Sequence, residues 1–181
     1  MLIRLRTAAG FKYSRGMNTD VKCTVAAWGS PADVFRHLQG DWLLDRRVDG
    51  LALMQGFASF GVNGDRSPDP GSLAYREHGR ARLAEGQEFE AERKYLYRAG
   101  PVGFSVFFAE VPPRLFHDVT LEASGGDLVG QACHLCGEDR YLSRYEFLAD
   151  GTFFIRHDVL GPRKNYVLET SYRRNQGKRF A

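Results

Sequence analysis

Three places in this chain carry residue types and spacings that could do chemistry. The first is a set of histidines near carboxylates, His117-Asp118 and His134 with Asp139 five residues on. An imidazole beside a carboxylate can be tuned for proton transfer near neutral pH. Adjacent residues on a strand point to opposite faces, so His117 and Asp118 do not themselves form a dyad. A pairing of His117 with His134 or Tyr141 across an enclosed interior is the alternative. The second place is Cys133-His134-Leu135-Cys136. Structural zinc takes four ligands, and the chain offers no second pair. A redox Cys-x-x-Cys opens a helix, and this one does not. The plainer reading is two thiols near a strand end, with no metal. The third is the basic turn Gly161-Pro162-Arg163-Lys164-Asn165. Two cations and free backbone amides suit a carboxylate or phosphate, although a solvated hairpin has the same composition. No nucleophile elbow and no phosphate loop is present.

The elements that position these residues read as strands. Ser30-Pro31-Ala32-Asp33 predicts a helix start, with Val34, Phe35 and Leu38 as its apolar stripe and Gly40 ending it. After Gly40 the hydrophobic period changes to two. Strands are predicted near 41–48, 51–60, 72–79, 88–98, 102–109, 114–122, 128–135, 139–148, 152–159 and 165–173. Turn chemistry separates them, for example Asp49-Gly50, Glu85-Gly86, Ser124-Gly125-Gly126 and Asp150-Gly151. About ten strands joined mostly by tight turns predict an all-β fold, a single up-and-down antiparallel β-barrel with a short N-terminal helix across one end. The long irregular loop 61–71 is a candidate for the barrel mouth.

Alternation then sorts the faces, unless a bulge inverts a strand. Phe89, Ala91, Arg93, Tyr95 and Tyr97 are expected inside, as are Leu115, His117, Val119 and Leu121. Tyr141, Ser143, Tyr145 and Phe147 form a third inward set; Phe153, Ile155, His157 and Val159 a fourth; Tyr166, Leu168, Thr170 and Tyr172 a fifth. Such an interior is too polar for a sealed core unless its polar groups satisfy one another. Either tyrosine hydroxyls cap an internal network around Arg93, or the barrel encloses a pocket with a few directed polar groups. The pocket is the favoured reading.

Bulk properties set outer limits. The 181 residues suit one domain, and a hydrophobic content of 43% with 26% charged residues is ordinary for a globular protein. The aromatic share of 13% is high, in keeping with strands and an apolar cavity. Residues 1–19 hold Arg4, Arg6, Lys12 and Arg15 and no acid; without those four cations the net charge falls from +3 to −1. The body, a barrel domain over 28–174 with a tail at 175–181, is therefore near neutral, which argues against nucleic acid as a partner. No apolar run is long enough to span a bilayer. The basic start is expected to be a disordered extension, or the product of a start at Met1 where Met17 is the true one. A mitochondrial transit peptide is the alternative. Three cysteines, Cys23, Cys133 and Cys136, without a secretory signal point to a reducing, cytoplasmic compartment.

Gly40-Asp41-Trp42 together with Arg173 and Arg174 resembles the calycin superfamily, the lipocalins, fatty-acid-binding proteins and nitrobindin-type barrels. The resemblance implies that Trp42 closes one barrel end and that a late-strand arginine, Arg173 in this reading, covers its ring. A second resemblance spans most of residues 35–174. His37 to Trp42, Arg93 to Tyr97, Phe116-His117-Asp118, His134-Leu135-Cys136 with Asp139 and Tyr141, and Gly161 to Tyr166 resemble the DUF6314 family. It implies a small single-domain protein whose recurring polar positions fall here on His117, His134, Asp139, Tyr141, Lys164 and Tyr166. From these readings the expected protein is a carrier or sensor of a small, partly apolar ligand with an anionic or hydroxylated end. Tyr95, Tyr141, Tyr145 and Tyr172 would line the pocket, Arg93 and Lys164 would meet charge, and His117 and His134 would hydrogen-bond. One alternative is an isomerase, cyclase or hydrolase with His117, helped by His134, as general acid–base. Another is a haem protein with His117, His134 or His157 as axial ligand, and a last one a filled barrel with a structural role. No other cofactor is expected, and composition leaves the oligomeric state open.

Overall fold

A computed structural model describes residues 27–61 and 71–177. The expectations for residues 1–19 and Cys23 lie outside them. Ten antiparallel strands follow one short helix: α1 (Val34–Leu38), β1 (Gly40–Val48), β2 (Ala52–Gly61), β3 (Ser72–Leu83), β4 (Glu88–Gly100), β5 (Gly103–Phe108), β6 (Arg114–Ser124), β7 (Asp127–Cys136), β8 (Asp139–Phe147), β9 (Phe153–Gly161) and β10 (Lys164–Arg174). Each strand pairs with its sequence neighbour, and β10 returns to β1 to close the barrel. This is the expected up-and-down barrel, and closure leaves no free sheet edge. No helix of the described residues is long and apolar enough to cross a membrane.

One end of the barrel is plugged. Trp28 stacks on Trp42 with centroids 5.8 Å apart, and Phe147 and Phe153 pack edge-on against Trp28 at 4.9 and 5.7 Å. Val34 and Leu38 of α1 are buried there, and the Trp42 Nε1–H donates to the Leu38 carbonyl at 2.9 Å. Arg174, not Arg173, covers the Trp42 ring, its guanidinium carbon 4.1 Å from the ring centroid. Arg173 is one residue out of phase, faces outward and pairs with Asp45 at 3.2 Å.

The helix is shorter than expected, a single turn. Ser30 does not cap it. Asp33 stands at the cap position and its carboxylate instead accepts from the Ser30 amide at 3.0 Å and the Ser30 hydroxyl at 2.7 Å. That reversed bond closes a turn before the helix and uses up the carboxylate that would have capped the first turn.

A bulge changes one face. The β5–β6 register shifts so that Val106 opposes His117 while Phe107 opposes Leu115. Phe116 is the extra residue, and it and His117 are both buried. Leu115, expected inside, is turned out and is 43% exposed. Phe89, also expected inside, sits at the start of β4 beyond the packed layer and is 46% exposed. Gly56 and Gly79 face each other across β2 and β3, where a Cβ on Gly79 would come within 2.8 Å of the Gly56 Cα. Only glycine on both strands allows this approach.

Candidate functional site

Strand direction divides the interior into a plugged half, described above, and an opposite open half. The turns β1–β2, β3–β4, β5–β6, β7–β8 and β9–β10 all lie at the open end. The ends of loop 61–71, Gly61 and Gly71, belong to the plugged end, so the loop expected at the mouth springs from the other side; residues 62–70 lie outside the described set.

The middle of the barrel holds a buried ion pair. Arg46 of β1 donates both terminal nitrogens to the Glu77 carboxylate of β3 at 2.5 and 2.7 Å, and its Nε to the Thr170 hydroxyl at 2.9 Å. Tyr75 donates to the same carboxylate and meets the Tyr172 hydroxyl at 2.9 Å. Arg93, the cross-strand partner of Glu77 on β4, lies 3.8 Å from its carboxylate. Burial would raise the Glu77 carboxyl and is the largest single influence on it, but the hydrogen bonds and charge of Arg46, with the Arg93 charge and the Tyr75 bond, together outweigh it and hold the group ionised below its usual range. The network expected around Arg93 is therefore centred on Glu77 and Arg46, with Arg93 at its edge. Sequence reasoning missed this pair. The signal was present: Arg46 stands in phase with Trp42 and Leu44, and Glu77 in phase with Leu73 and Tyr75, so each strand places one charge on its apolar face.

This network and the rings around it fill the space. The cavity between Arg46, Tyr75, Glu77, Phe116, His157 and Tyr172 has a volume of about 20 Å³. That is room for a water molecule, against several hundred cubic ångströms for a site that encloses a drug-sized ligand. The expected wide chamber is absent because nine aromatic rings and a salt bridge occupy it. Tyr145 and Tyr172, expected as pocket lining, are buried with their hydroxyls engaged, Tyr145 to His117 Nε2 at 2.7 Å and Tyr172 to Tyr75. Burial raises both phenols, Tyr172 to about 12, so both stay neutral.

Nearer the mouth lies a second cluster organised by Phe116. Its ring meets those of His117 at 4.1 Å, His134 at 4.8 Å, Phe108 at 5.0 Å and Tyr95 at 5.9 Å, the last as a parallel stack. His157 donates or accepts one bond with the Ser143 hydroxyl at 2.7 Å. Burial lowers His117 to about 4 and His157 to about 3, so both imidazoles are neutral at pH 7. Two ring nitrogens here are buried without any hydrogen-bond partner: His117 Nδ1 and His134 Nε2. Among the described residues these are the only buried side-chain nitrogens or oxygens so left. An unmet buried polar group costs about 1–3 kcal/mol and calls for an explanation.

At the rim, Lys164 binds the Asp139 carboxylate at 2.5 Å and donates to the Tyr141 hydroxyl at 3.0 Å. These bonds raise the Lys164 ammonium above its usual range. A Cβ on Gly161 would lie 1.8 Å from the Asp139 carboxylate, so the glycine makes the space that the acid fills. Tyr166 stands half-buried beside this group, and burial raises its phenol. The structure thus brings Tyr95, His117, His134, Asp139, Tyr141, Lys164 and Tyr166 towards one end, and Arg93 lies on β4 two residues nearer the β3–β4 turn than Tyr95. Cys133 and Cys136 are free and exposed. Among the described residues no cluster of three or more His, Cys, Asp or Glu is placed to hold a metal.

Comparison with known proteins fixes the fold and the family. The S-type phycobiliprotein lyase CPES from Guillardia theta superposes with a TM-score of 0.58 at 10% identity, covering 85% of this chain and 97% of that one. At that identity the likeness is one of fold. Two redesigned β-barrels align more loosely: one at TM-score 0.37 and 13% identity over 81% of this chain and 97% of its own. The other, bound to DFHBI, aligns at TM-score 0.28 and 14% identity over 76% and 99%. No curated protein matches the chain. The DUF6314 model, describing a family of unknown function, matches residues 38–174, and the chain belongs to that family.

Proposed function

We propose that this protein binds a small, partly apolar molecule at the open end of its barrel, as an intracellular carrier or sensor. The observation that carries the reading is the pair of unpartnered buried nitrogens, His117 Nδ1 and His134 Nε2, beside an aromatic surface. A ligand that bonds both nitrogens removes two desolvation penalties that the free protein bears. Its apolar part rests on Phe108, Phe116 and Tyr95, and its anionic or hydroxylated end meets Lys164 and Tyr141. The cavity of about 20 Å³ makes this a site at the mouth, with Phe116 and Tyr95 yielding to the ligand.

The Tyr145 hydroxyl holds His117 Nε2 at 2.7 Å. A neutral imidazole carries one proton, so the His117 tautomer decides whether its free Nδ1 donates to the ligand or accepts from it.

Binding is favoured over catalysis by the same residue. An imidazole lowered to about 4 is a poor proton acceptor at pH 7, where a general base works best with a pKa near the ambient pH. The phycobiliprotein lyase shares the fold and no more, so it does not tip this choice. A haem would need space that the interior does not provide, and on His134 it would have to lie across the mouth.

The test uses 1-anilinonaphthalene-8-sulfonate, an apolar probe with one anionic end. Saturable fluorescence enhancement at one probe per chain is expected, weakened about tenfold in His134→Phe and in Lys164→Ala. His134→Phe should leave the stability of the free protein unchanged or slightly higher. Absence of saturable binding, or binding indifferent to both substitutions, would overturn the proposal.

A further inference from the structure

The exposed apolar side chains are not scattered. Ten large ones are exposed among the described residues, and eight of them lie in the open half of the barrel. Every turn at that end carries at least one: Leu51 and Leu53 at β1–β2, Phe89 at β3–β4, Val111 and Leu115 at β5–β6, Leu135 at β7–β8 and Leu160 at β9–β10. The plugged half has only Val102 and Phe154. Single exposed apolar residues need no explanation, but a collar contributed by five separate hairpins around one opening does.

The charges set among this collar indicate what covers it. Some are satisfied locally: Arg114 by Glu110, Lys164 by Asp139, Arg80 by Glu88 and Glu90. On the open-end turns and the strand ends beside them, six exposed ones make no ion pair among the described residues: the acids Asp49, Glu85 and Glu138, and the bases Arg82, Arg140 and Arg163. Equal numbers of unpaired acids and bases suit a surface that meets its own copy, since a two-fold interface places each patch against its complement. They do not suit a bilayer, into which three carboxylates would have to be pressed along with the apolar collar.

We propose that the open end is a self-association surface, and that two copies meet mouth to mouth about a two-fold axis perpendicular to the barrel. The open-end turns follow one another around the rim in the order β1–β2, β3–β4, β5–β6, β7–β8, β9–β10. An axis passing beside the β1–β2 turn sets β3–β4 of one copy against β9–β10 of the other. Glu85 then faces Arg163 of the second copy, and the reverse contact repeats across the axis. Phe89 and Leu160 are brought together between these pairs. The two mouths face each other, so the rims that carry Lys164 and Tyr141 are enclosed together.

Sedimentation velocity of the full chain over a wide concentration range tests this. A reversible dimer is expected. Leu135→Glu should raise its dissociation constant by about tenfold or more, while Val102→Glu at the plugged end should leave it unchanged. Thermal melting of both variants should match the parent, because both side chains are more than half exposed. Glu85→Arg and Arg163→Glu should each weaken the dimer, and the double reversal should restore it. A chain monomeric at every concentration, or a dimer that Leu135→Glu does not touch, would overturn the proposal. So would flotation of a monomer with phosphatidylcholine vesicles that Leu135→Glu abolishes, which would make the collar a membrane surface. Failure of the double reversal to restore association would overturn the facing of β3–β4 on β9–β10.

Discussion

Glu77 and Arg46 carry opposite charges into a chamber otherwise walled by tyrosine and phenylalanine rings. Taking either ion out of water is costly, and the pair persists because bidentate geometry, Thr170 and Tyr75 satisfy it on all sides. Removing one partner leaves the other charge buried and bare. Glu77→Ala should therefore cost about 3–5 kcal/mol in urea unfolding, while Arg46→Met combined with Glu77→Leu should recover most of that loss. His117 gives a pH signature of its own. Its pKa falls from 6.5 in the unfolded chain to about 4 in the fold, so the unfolded chain binds more protons in that window. The His117 contribution is intact above pH 6.5, declines as the pH falls towards 4, and amounts to roughly 3 kcal/mol when fully lost. His157, lowered to about 3, adds a slope of the same sign, so unfolding free energies measured from pH 7 to pH 4 should fall through both groups, and His117→Gln should remove about half of that fall. A slope unchanged in the variant would mean that other groups set the acid sensitivity.

At the scale of the element, strand phase decides what reaches the site. Phe116 is central to the mouth cluster only because β6 carries a bulge, and period-two alternation alone assigns Leu115 to the interior instead. The bulge has no mark of its own in the residues around it, whereas the strands themselves do: turns that carry glycine or proline, and alternating apolar positions, delimit all ten. His117, His134, Tyr141 and Lys164 could thus be placed near one end from sequence, but the fullness of the interior could not. It depends on ring packing between strands distant in the chain, such as Tyr172 on Phe153 at 4.2 Å and Phe60 on Tyr97 at 5.2 Å. The β8–β9–β10 corner offers a test. Gly161→Ala puts a methyl group where the Asp139 carboxylate sits, and should break the Asp139–Lys164 pair. Since that pair is at the rim, stability should fall by no more than about 1 kcal/mol. Binding of the anionic probe should change several-fold, because Lys164 is no longer held in place. An unaltered probe affinity would remove the rim pair from the site.

The whole molecule is built with one end committed to stability and the other left open. Trp28, Trp42, Phe147 and Phe153 seal the first, with Arg174 over the outermost ring. Trp42→Ala should cost about 3–5 kcal/mol and leave the mouth intact for the probe. The other end collects what a core would not keep: two unsatisfied imidazole nitrogens, a lysine held between an acid and a phenol, and a collar of exposed leucines. The central claim is that this end holds a small molecule through His117 and His134. Native mass spectrometry of the full chain against its denatured mass addresses that claim most directly, with a His117→Phe, His134→Phe double variant from the same host beside it. The account predicts added mass on the native parent that denaturation releases and that the double variant lacks. Native and denatured masses that agree in the parent, or an adduct that the double variant retains, would contradict it.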